Sequence, residues 1–279
     1  MHGWKDLPLS VPPPPGSPRL LLWPKLRSRE LQNYRDIIVA LPPSYDHADR
    51  RYAVVVMHDG QNLFVPETSH AGDWGLGATL GELAREGTEA IIVGIANTGP
   101  FRKYEYSPFR DPAHGGGDGD RYLDFIMGSV LPLVRNSFRT SAETSETVIA
   151  GSSMGGLVSL YAWWQFPGVF GAAAAMSPSA WFAGEAMRKL IETAGSAPAG
   201  RLWLDIGTAE GDPALDAVRR LRVALVGRGL ESDRFHYLED PDATHHESHW
   251  GRRFRQAFGE CDWHHSQAVL AARRARVPG

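Results

Sequence analysis

One stretch constrains the fold of this chain more than any other: Thr147-Val148-Ile149-Ala150-Gly151-Ser152-Ser153-Met154-Gly155-Gly156-Leu157. A short apolar run ends in Gly-x-Ser-x-Gly, and a helical pattern follows at once. Strand, sharp turn, helix is the order of a nucleophile elbow. Such a turn forces the central serine into a strained backbone. Small residues must stand two positions before and after it, so that strand and helix can approach. Gly151 and Gly155 meet that need around Ser153, whereas centring on Ser152 would put Ala150 and Met154 there. The frame therefore favours Ser153. Its hydroxyl is lifted above the sheet, with a helix N-terminus behind it that favours developing negative charge. In a chain with 30 glycines the bare motif has little specificity, so the weight falls on whether a base, an acid and an oxyanion site accompany it.

The pattern around the elbow alternates. Short strands are expected at 20–23 and 34–41, the second stopped by Pro42-Pro43. The apolar run at 52–57 reads as a buried strand, followed directly by His58-Asp59-Gly60-Gln61-Asn62-Leu63-Phe64. A helix at 76–86 and a buried strand at 90–96 come next. The loop at 97–119 carries Arg102, Tyr104, Tyr106 and Phe109 and is long for a connector; it is either a pocket wall or an ordered surface loop. Residues 120–138 have helical periodicity, with Pro132 a candidate kink. Beyond the elbow, strands at 170–176, 202–206 and 234–238 alternate with helices at 183–194, 214–229 and 250–258, and a basic helical tail is expected at 268–276. Strands alternating with helices imply an α/β fold: a mostly parallel central sheet with helices on both faces. Residues 1–17 read as a loosely attached proline-rich arm, and 18–279 as one domain.

Composition narrows the partners. The formal net charge of −3 makes no electrostatic case for nucleic acid or an anionic membrane. No run reaches the roughly 18 apolar residues of a membrane span. The first residues hold Asp6 and the Pro12–Pro15 run in place of a continuous apolar core, so no secretory signal is expected. The single cysteine, Cys261, forms no intrachain disulfide. A cytoplasmic protein is the expectation. Oligomeric state leaves no mark in the sequence.

A serine hydroxyl needs a base. After a strand-borne nucleophile the partners are expected in the order acid, then histidine, each in a loop beyond a later strand. Glu210 and Asp212 both follow the strand at 202–206, with Glu210 the first choice; Asp205 lies within that strand and points into the sheet environment. The histidine falls in Asp242-Ala243-Thr244-His245-His246-Glu247-Ser248-His249-Trp250. Three histidines invite a metal reading, but a zincin helix needs His-Glu-x-x-His; here Glu247 is misplaced within the His245/His249 pair, and His246-Glu247-Ser248-His249 is one residue short. No metal is expected. His264 and His265 read as surface residues of the tail.

These pieces together resemble the putative esterase family of α/β-hydrolases, which includes esterase D, enterochelin, feruloyl and acetyl xylan esterases and mycolyltransferases. The matching segments are His58–Phe64, Tyr104-Glu105-Tyr106-Ser107-Pro108, the elbow, Met176-Ser177-Pro178-Ser179, Gly207-Thr208-Ala209-Glu210 and the His245-to-Trp250 run. They extend from about residue 34 to 258. The resemblance implies the α/β-hydrolase fold, with Ser153 as nucleophile, His245 as general base, Glu210 as the acid and the backbone N–H groups of Gln61 and Met154 as the oxyanion hole. It implies acyl transfer from a small-molecule ester, without metal or cofactor. The chain departs from the family at Val65, Gly77 and Ala78, where relatives often carry acidic residues, so a relative's substrate does not transfer. Trp74, Tyr106 and Trp181 come from loops near the expected site and are candidates for an aromatic substrate wall; the competing reading is that they are core. The same machinery would serve an acyltransferase or thioesterase. A non-catalytic binding protein on this scaffold is the further alternative, against which all three triad positions are filled.

Overall fold

The apolar runs become the middle of one sheet. A computed structural model describes residues 3–69 and 72–260; the predicted tail helix, Cys261, His264 and His265 lie outside the described residues. Among those described, the strands are β1 (Lys5–Asp6), β2 (Arg19–Ser28), β3 (Asn33–Leu41), β4 (Ala53–His58), β5 (Ala90–Ile95), β6 (Thr147–Ser152), β7 (Ala172–Met176), β8 (Arg201–Gly207) and β9 (Phe235–Asp240). They lie in the order β1-β2-β3-β5-β4-β6-β7-β8-β9. The pairs β1/β2, β2/β3 and β3/β5 are antiparallel, and every pair from β5 to β9 is parallel. The helices are α1 (Leu76–Arg85), α2 (Arg102–Glu105), α3 (Gly119–Phe125), α4 (Leu131–Ser137), α5 (Met154–Gln165), α6 (Phe182–Thr193), α7 (Asp212–Val226) and α8 (Glu247–Glu260).

The sheet divides the core in two. Val54, Val56, Ile91, Val93 and Ile149 face a layer with α3, α4, α5, α6 and α7, while Val55, Met57, Ile92, Val148 and Ala150 face α1 and α8. Alternate residues of one strand thus enter opposite layers, so β4, β5 and β6 are apolar without alternation. Helix α5 is buried along nearly all its length, which explains its lack of a polar face. This α/β sheet with helices on both faces is the architecture expected from the sequence. No helix among the described residues is long and apolar enough to cross a membrane.

Two local expectations change. The kink anticipated at Pro132 is instead a π-helical turn, Ile126–Val130, that joins α3 to α4. Proline has no N–H for the regular ladder, and widening the preceding turn absorbs that loss. The arm is not loosely attached at its start: Lys5 and Asp6 pair with Leu22 and Leu21, and the Trp4 indole packs edge-on against Trp23 at 5.5 Å and donates to Ser137 Oγ at 2.9 Å. An apolar indole within the arm, Trp4, supplies the anchor that proline composition hides.

Candidate active site

The six parallel strands end at one edge of the sheet, and their following loops meet there. The chain turns from β4 outward to β5 and returns across to β6, so the topological switch point lies between β4 and β6. Ligands of open α/β sheets bind at such a crevice. A cleft of ≈ 320 Å³ opens at this place; Gln61 and Asn62 reach it from the loop after β4, Asn97 and Arg102 from the loop after β5, and Ser153 from the end of β6.

Ser153 sits between β6 and α5 with φ 58° and ψ −124°, a conformation strained for an L-residue. The structure thereby bears out the sharp turn. A Cβ on Gly151 would stand 2.8 Å from His58 Cδ2, and one on Gly156 would stand 2.9 Å from the Met176 carbonyl. Gly156 therefore matters to the close approach as much as the expected Gly155, where the nearest atom would be 3.3 Å away. The Ser153 N–H donates to the Met176 carbonyl, and its own carbonyl accepts from the Ser179 N–H, both at 3.0 Å. Its hydroxyl lies 3.4 Å from Ser179 Oγ. Met154 opens α5, so its N–H has no intrahelical acceptor.

The loop after β4 is held by charge. Arg102 donates from Nε and Nη2 to the two oxygens of Asp59, each at 2.7 Å, and Asn97 Nδ2 donates to Oδ1 at 2.7 Å. The Asp59 N–H donates to Tyr106 Oη at 3.1 Å, and the Asn97 N–H to Gln61 Oε1 at 3.1 Å. Burial would raise the Asp59 carboxyl; Arg102 and Asn97 reverse that and hold it below the ordinary carboxylate range. Beneath the loop, burial depresses His58 to about 3, so its ring is neutral; Nδ1 shares a hydrogen with Tyr122 Oη at 2.9 Å.

Beyond Trp250, and outside the cleft lining itself, Glu210 Oε2 lies 2.6 Å from His245 Nδ1. Glu210 Oε1 accepts from the Gly207 N–H at 2.9 Å and from Ser177 Oγ at 2.5 Å. Burial pushes the Glu210 carboxyl up, but these three hydrogen bonds outweigh it and hold it below its ordinary value. Asp212 is exposed in the first turn of α7, which leaves Glu210 as the acid in contact with the histidine. The other rings of the cluster are engaged locally: His246 Nδ1 with Ser248 Oγ at 2.9 Å, and His249 Nδ1 with the Thr244 N–H at 2.8 Å. His245 stands edge-on against Trp250 at 4.8 Å, and Trp250 lines the cleft beside Ser153.

The aromatic candidates separate. Trp74 lines the cleft and packs on Trp250 at 6.0 Å. Tyr106 does not form a substrate wall; it is fully buried and supports Asp59 from behind. Its loop is drawn inward by a buried pair in which Arg35 on β3 donates to both oxygens of Glu105, at 2.9 and 3.1 Å. Trp181 is exposed but is absent from the cleft lining, packing instead edge-on against His114 at 5.5 Å.

Asp59, Asn97, Arg102 and Trp250 line the cleft without having been singled out as site residues. Nor was Arg253, which is buried at 1% exposure with Asp205 Oδ1 at 3.2 Å and Glu210 Oε1 and Asp240 Oδ2 each at 3.6 Å. A signal existed: Trp250, Arg253, Phe254, Ala257 and Phe258 follow helical i, i+3, i+4 spacing, which puts the arginine on the apolar stripe of α8. Asp205 is fully buried, as its place within the strand implied; burial pushes its carboxyl up to about 6 against the pull of Arg253.

A sequence model of the family described as "Putative esterase" matches residues 28–261. The chain is 26% identical over 238 residues to the uncharacterized protein YbbA of Bacillus subtilis (strain 168), covering 80% of this chain and 90% of that protein. Among solved structures it is similar to the BES protein from Bacillus cereus, with TM-score 0.70 and 18% identity over 91% of this chain and 98% of that one. It is also similar to the enterobactin esterase FES from Shigella flexneri, with TM-score 0.71 and 20% identity over 90% of this chain. The chain spans 60% of that FES chain. At these identities the structural likeness is one of fold.

Proposed function

The chain belongs to the Putative esterase family, and from that membership we propose that it is a serine carboxylic ester hydrolase working through an acyl-enzyme. The observation that carries the reading is the strained Ser153 at the mouth of the cleft, φ 58° and ψ −124°, at the N-terminus of a buried helix. Strain of this kind persists only where the surroundings enforce it.

In this reading the Ser153 hydroxyl turns from Ser179 toward His245 Nε2 and attacks the ester carbonyl as the ring takes its proton. Glu210 accepts the Nδ1 hydrogen, fixes the tautomer and balances the imidazolium. The backbone N–H groups of Gln61 and Met154 receive the oxyanion; each such donor is worth on the order of 3 kcal/mol in the transition state. His245 returns the proton to the departing alcohol. It then draws one from water, which attacks the acyl-enzyme, releases the acid and restores Ser153. Support for Gln61 comes from the Asp59–Arg102 clamp and from Asn97, which hold its loop from both ends.

The substrate class is a small-molecule ester. FES structures were determined in the presence of enterobactin and of 2,3-di-hydroxy-N-benzoyl-serine. For this chain the cleft lining includes Trp74 and Trp250 as well as Arg102 and Asn97, which suits an ester with one flat apolar part and one polar part. Turnover of p-nitrophenyl acetate and butyrate, with a fluorophosphonate probe, tests the reading. Wild type is expected to turn over and to label, and Ser153→Ala to do neither. A wild type that neither labels nor turns over would sink it.

A further inference from the structure

We propose that Ser177 is a positioning residue for the reaction: its hydroxyl, given a single orientation by Trp250 and Arg253, holds Glu210 as a two-oxygen acceptor and so sets the tautomer of His245. The proposal rests on the esterase reading above and assigns a role to the Met176-Ser177-Pro178-Ser179 turn.

The orientation follows from counting hydrogens. A serine hydroxyl has one proton and two lone pairs. The indole Nε1 of Trp250 and the guanidinium Nη2 of Arg253 have only hydrogens to give, and they reach Ser177 Oγ at 3.1 and 2.8 Å. Both lone pairs are then occupied. The one remaining direction is Glu210 Oε1, at 2.5 Å, and the Ser177 proton must point there. Glu210 Oε1 also accepts from the Gly207 N–H. With two donors aimed at it, that oxygen has no room for a proton of its own. Oε2 is left to face His245 Nδ1 at 2.6 Å, and an ionised carboxylate there requires the hydrogen to sit on Nδ1. Nε2 is then free as the acceptor that a base must present. Rotating Ser177 away would break this chain at its first link.

The backbone of Ser177 fits the role. It has φ 40°, in the left-handed region, and its N–H lies 3.0 Å from both the Asp205 carbonyl and Asp205 Oδ1 on β8. The residues on either side of it bond to Ser153: the Met176 carbonyl accepts from the Ser153 N–H, and the Ser179 N–H donates to the Ser153 carbonyl. One short turn therefore holds the nucleophile on one side and the acid on the other. The charged and titratable groups around Glu210 are His245 from the loop after β9, Arg253 from α8 and Asp205 from β8; Asp240 on β9 lies against Arg253.

The test is steady-state hydrolysis of p-nitrophenyl acetate across pH by the full chain as wild type, Ser177→Ala, Ser177→Gly and Ser177→Cys, with thermal unfolding measured in parallel. Glycine removes the hydroxyl while relieving the positive φ, so it guards against a folding defect in the alanine variant. For alanine and glycine, kcat is expected to fall about 10- to 100-fold, the range of a hydrogen bond to a charged group, with KM within about twofold. The acid limb of the kcat profile should move to higher pH, because Glu210 loses a donor that stabilises its charged form. Cysteine, a weak donor, should recover part of the loss. An active wild type whose alanine and glycine variants keep its kcat and pH profile overturns the proposal alone, as does a loss of thermal stability without a loss of kcat. A wild type without turnover or fluorophosphonate labelling overturns it together with the esterase reading.

Discussion

Two regions at this edge of the sheet, one after β4 and one around β8, are both built from buried charge, but by different rules. On the β4 side, Asp59 meets one cation in a two-pronged pair, and Arg102 keeps a quarter of its side chain exposed. On the β8 side, Asp205, Glu210 and Asp240 surround one arginine, and Arg253, Asp205 and Glu210 are almost wholly out of water. The first side is matched charge for charge. The second carries more negative charge than Arg253 can answer; Arg252 donates to Asp240 at 2.6 Å, and neutral donors serve the other two, the Trp203 indole and the Ser177 N–H to Asp205, and the Gly207 N–H and the Ser177 hydroxyl to Glu210. The matched side is suited to holding a peptide in place. The mismatched side holds the Glu210 carboxylate against His245, as the proposed mechanism requires.

The sharpest way to separate them is to neutralise Glu210 without changing its shape. Glu210→Gln leaves the outline but puts an amide N–H₂ against donors, and it offers His245 the wrong partner. A loss of about 10⁴ in kcat is expected, the scale of the corresponding change in a well-studied triad, with the fold retained. Steady-state kinetics with circular dichroism checks this; a loss below about tenfold would remove Glu210 from the mechanism.

The next effect is on stability. Arg253→Met fills similar space but leaves three carboxylates without their shared cation. Removing one partner of a buried ion group costs about 3–5 kcal/mol. Urea denaturation at pH 7 should find that loss, with turnover reduced as well. If Arg253→Met is neutral, the cluster is not held by charge and the contrast between the two sides fails.

How much of this was legible differs from residue to residue. Ser153 was readable because an elbow is a local device: its demands are met within a few residues, and Gly151 satisfied them on sight. Glu210 was readable as the leading choice because it follows a clear strand, but singling out His245 among its neighbours needed the family resemblance. The sequence leaves Tyr106 open between substrate wall and core, and it is core. It is buried because Arg35, 70 residues before Glu105, draws the loop inward, and a long-range ion pair has no local signature. Arg253 is the opposite case. Its periodicity placed it on the buried stripe, but a charge does not score as apolar in a pattern read for hydrophobicity.

The pH dependence of stability separates Asp205 from Asp59 by sign. Asp205 has its folded value raised to about 6 from 3.8, so between about pH 4 and 6 the folded state binds more protons than the unfolded one. Its contribution to stability is present at the acid end of that window and is lost as pH rises through it. Asp59 is lowered, so its contribution is present above the unfolded value and is lost as pH falls through the folded one. Asp205→Asn should remove the first trend and leave the second. The informative quantity is the slope of unfolding free energy with pH between 4 and 6. Wild type should lose on the order of 2 kcal/mol relative to Asp205→Asn across it. Parallel slopes would show that Asp205 is ionised throughout.

The smallest effect tests what the matched side is for. Arg102→Lys keeps the charge beside Asp59 and gives up the fork that fixes both of its oxygens. Asn97 still holds Oδ1, and Gln61 is still tied to Asn97, so the loop should loosen without unfolding. If the Gln61 N–H receives the oxyanion, a shift of a few tenths of an ångström weakens a bond made chiefly in the transition state. The expected signature is a fall of about tenfold in kcat, with KM and thermal stability little changed. Kinetics on p-nitrophenyl esters of two acyl lengths tests this, because a loosened oxyanion donor should affect both equally. A loss confined to one ester, or one carried in KM, would instead make Arg102 a substrate-contacting group, and the charge-matched side would then be part of the binding surface and not its scaffold.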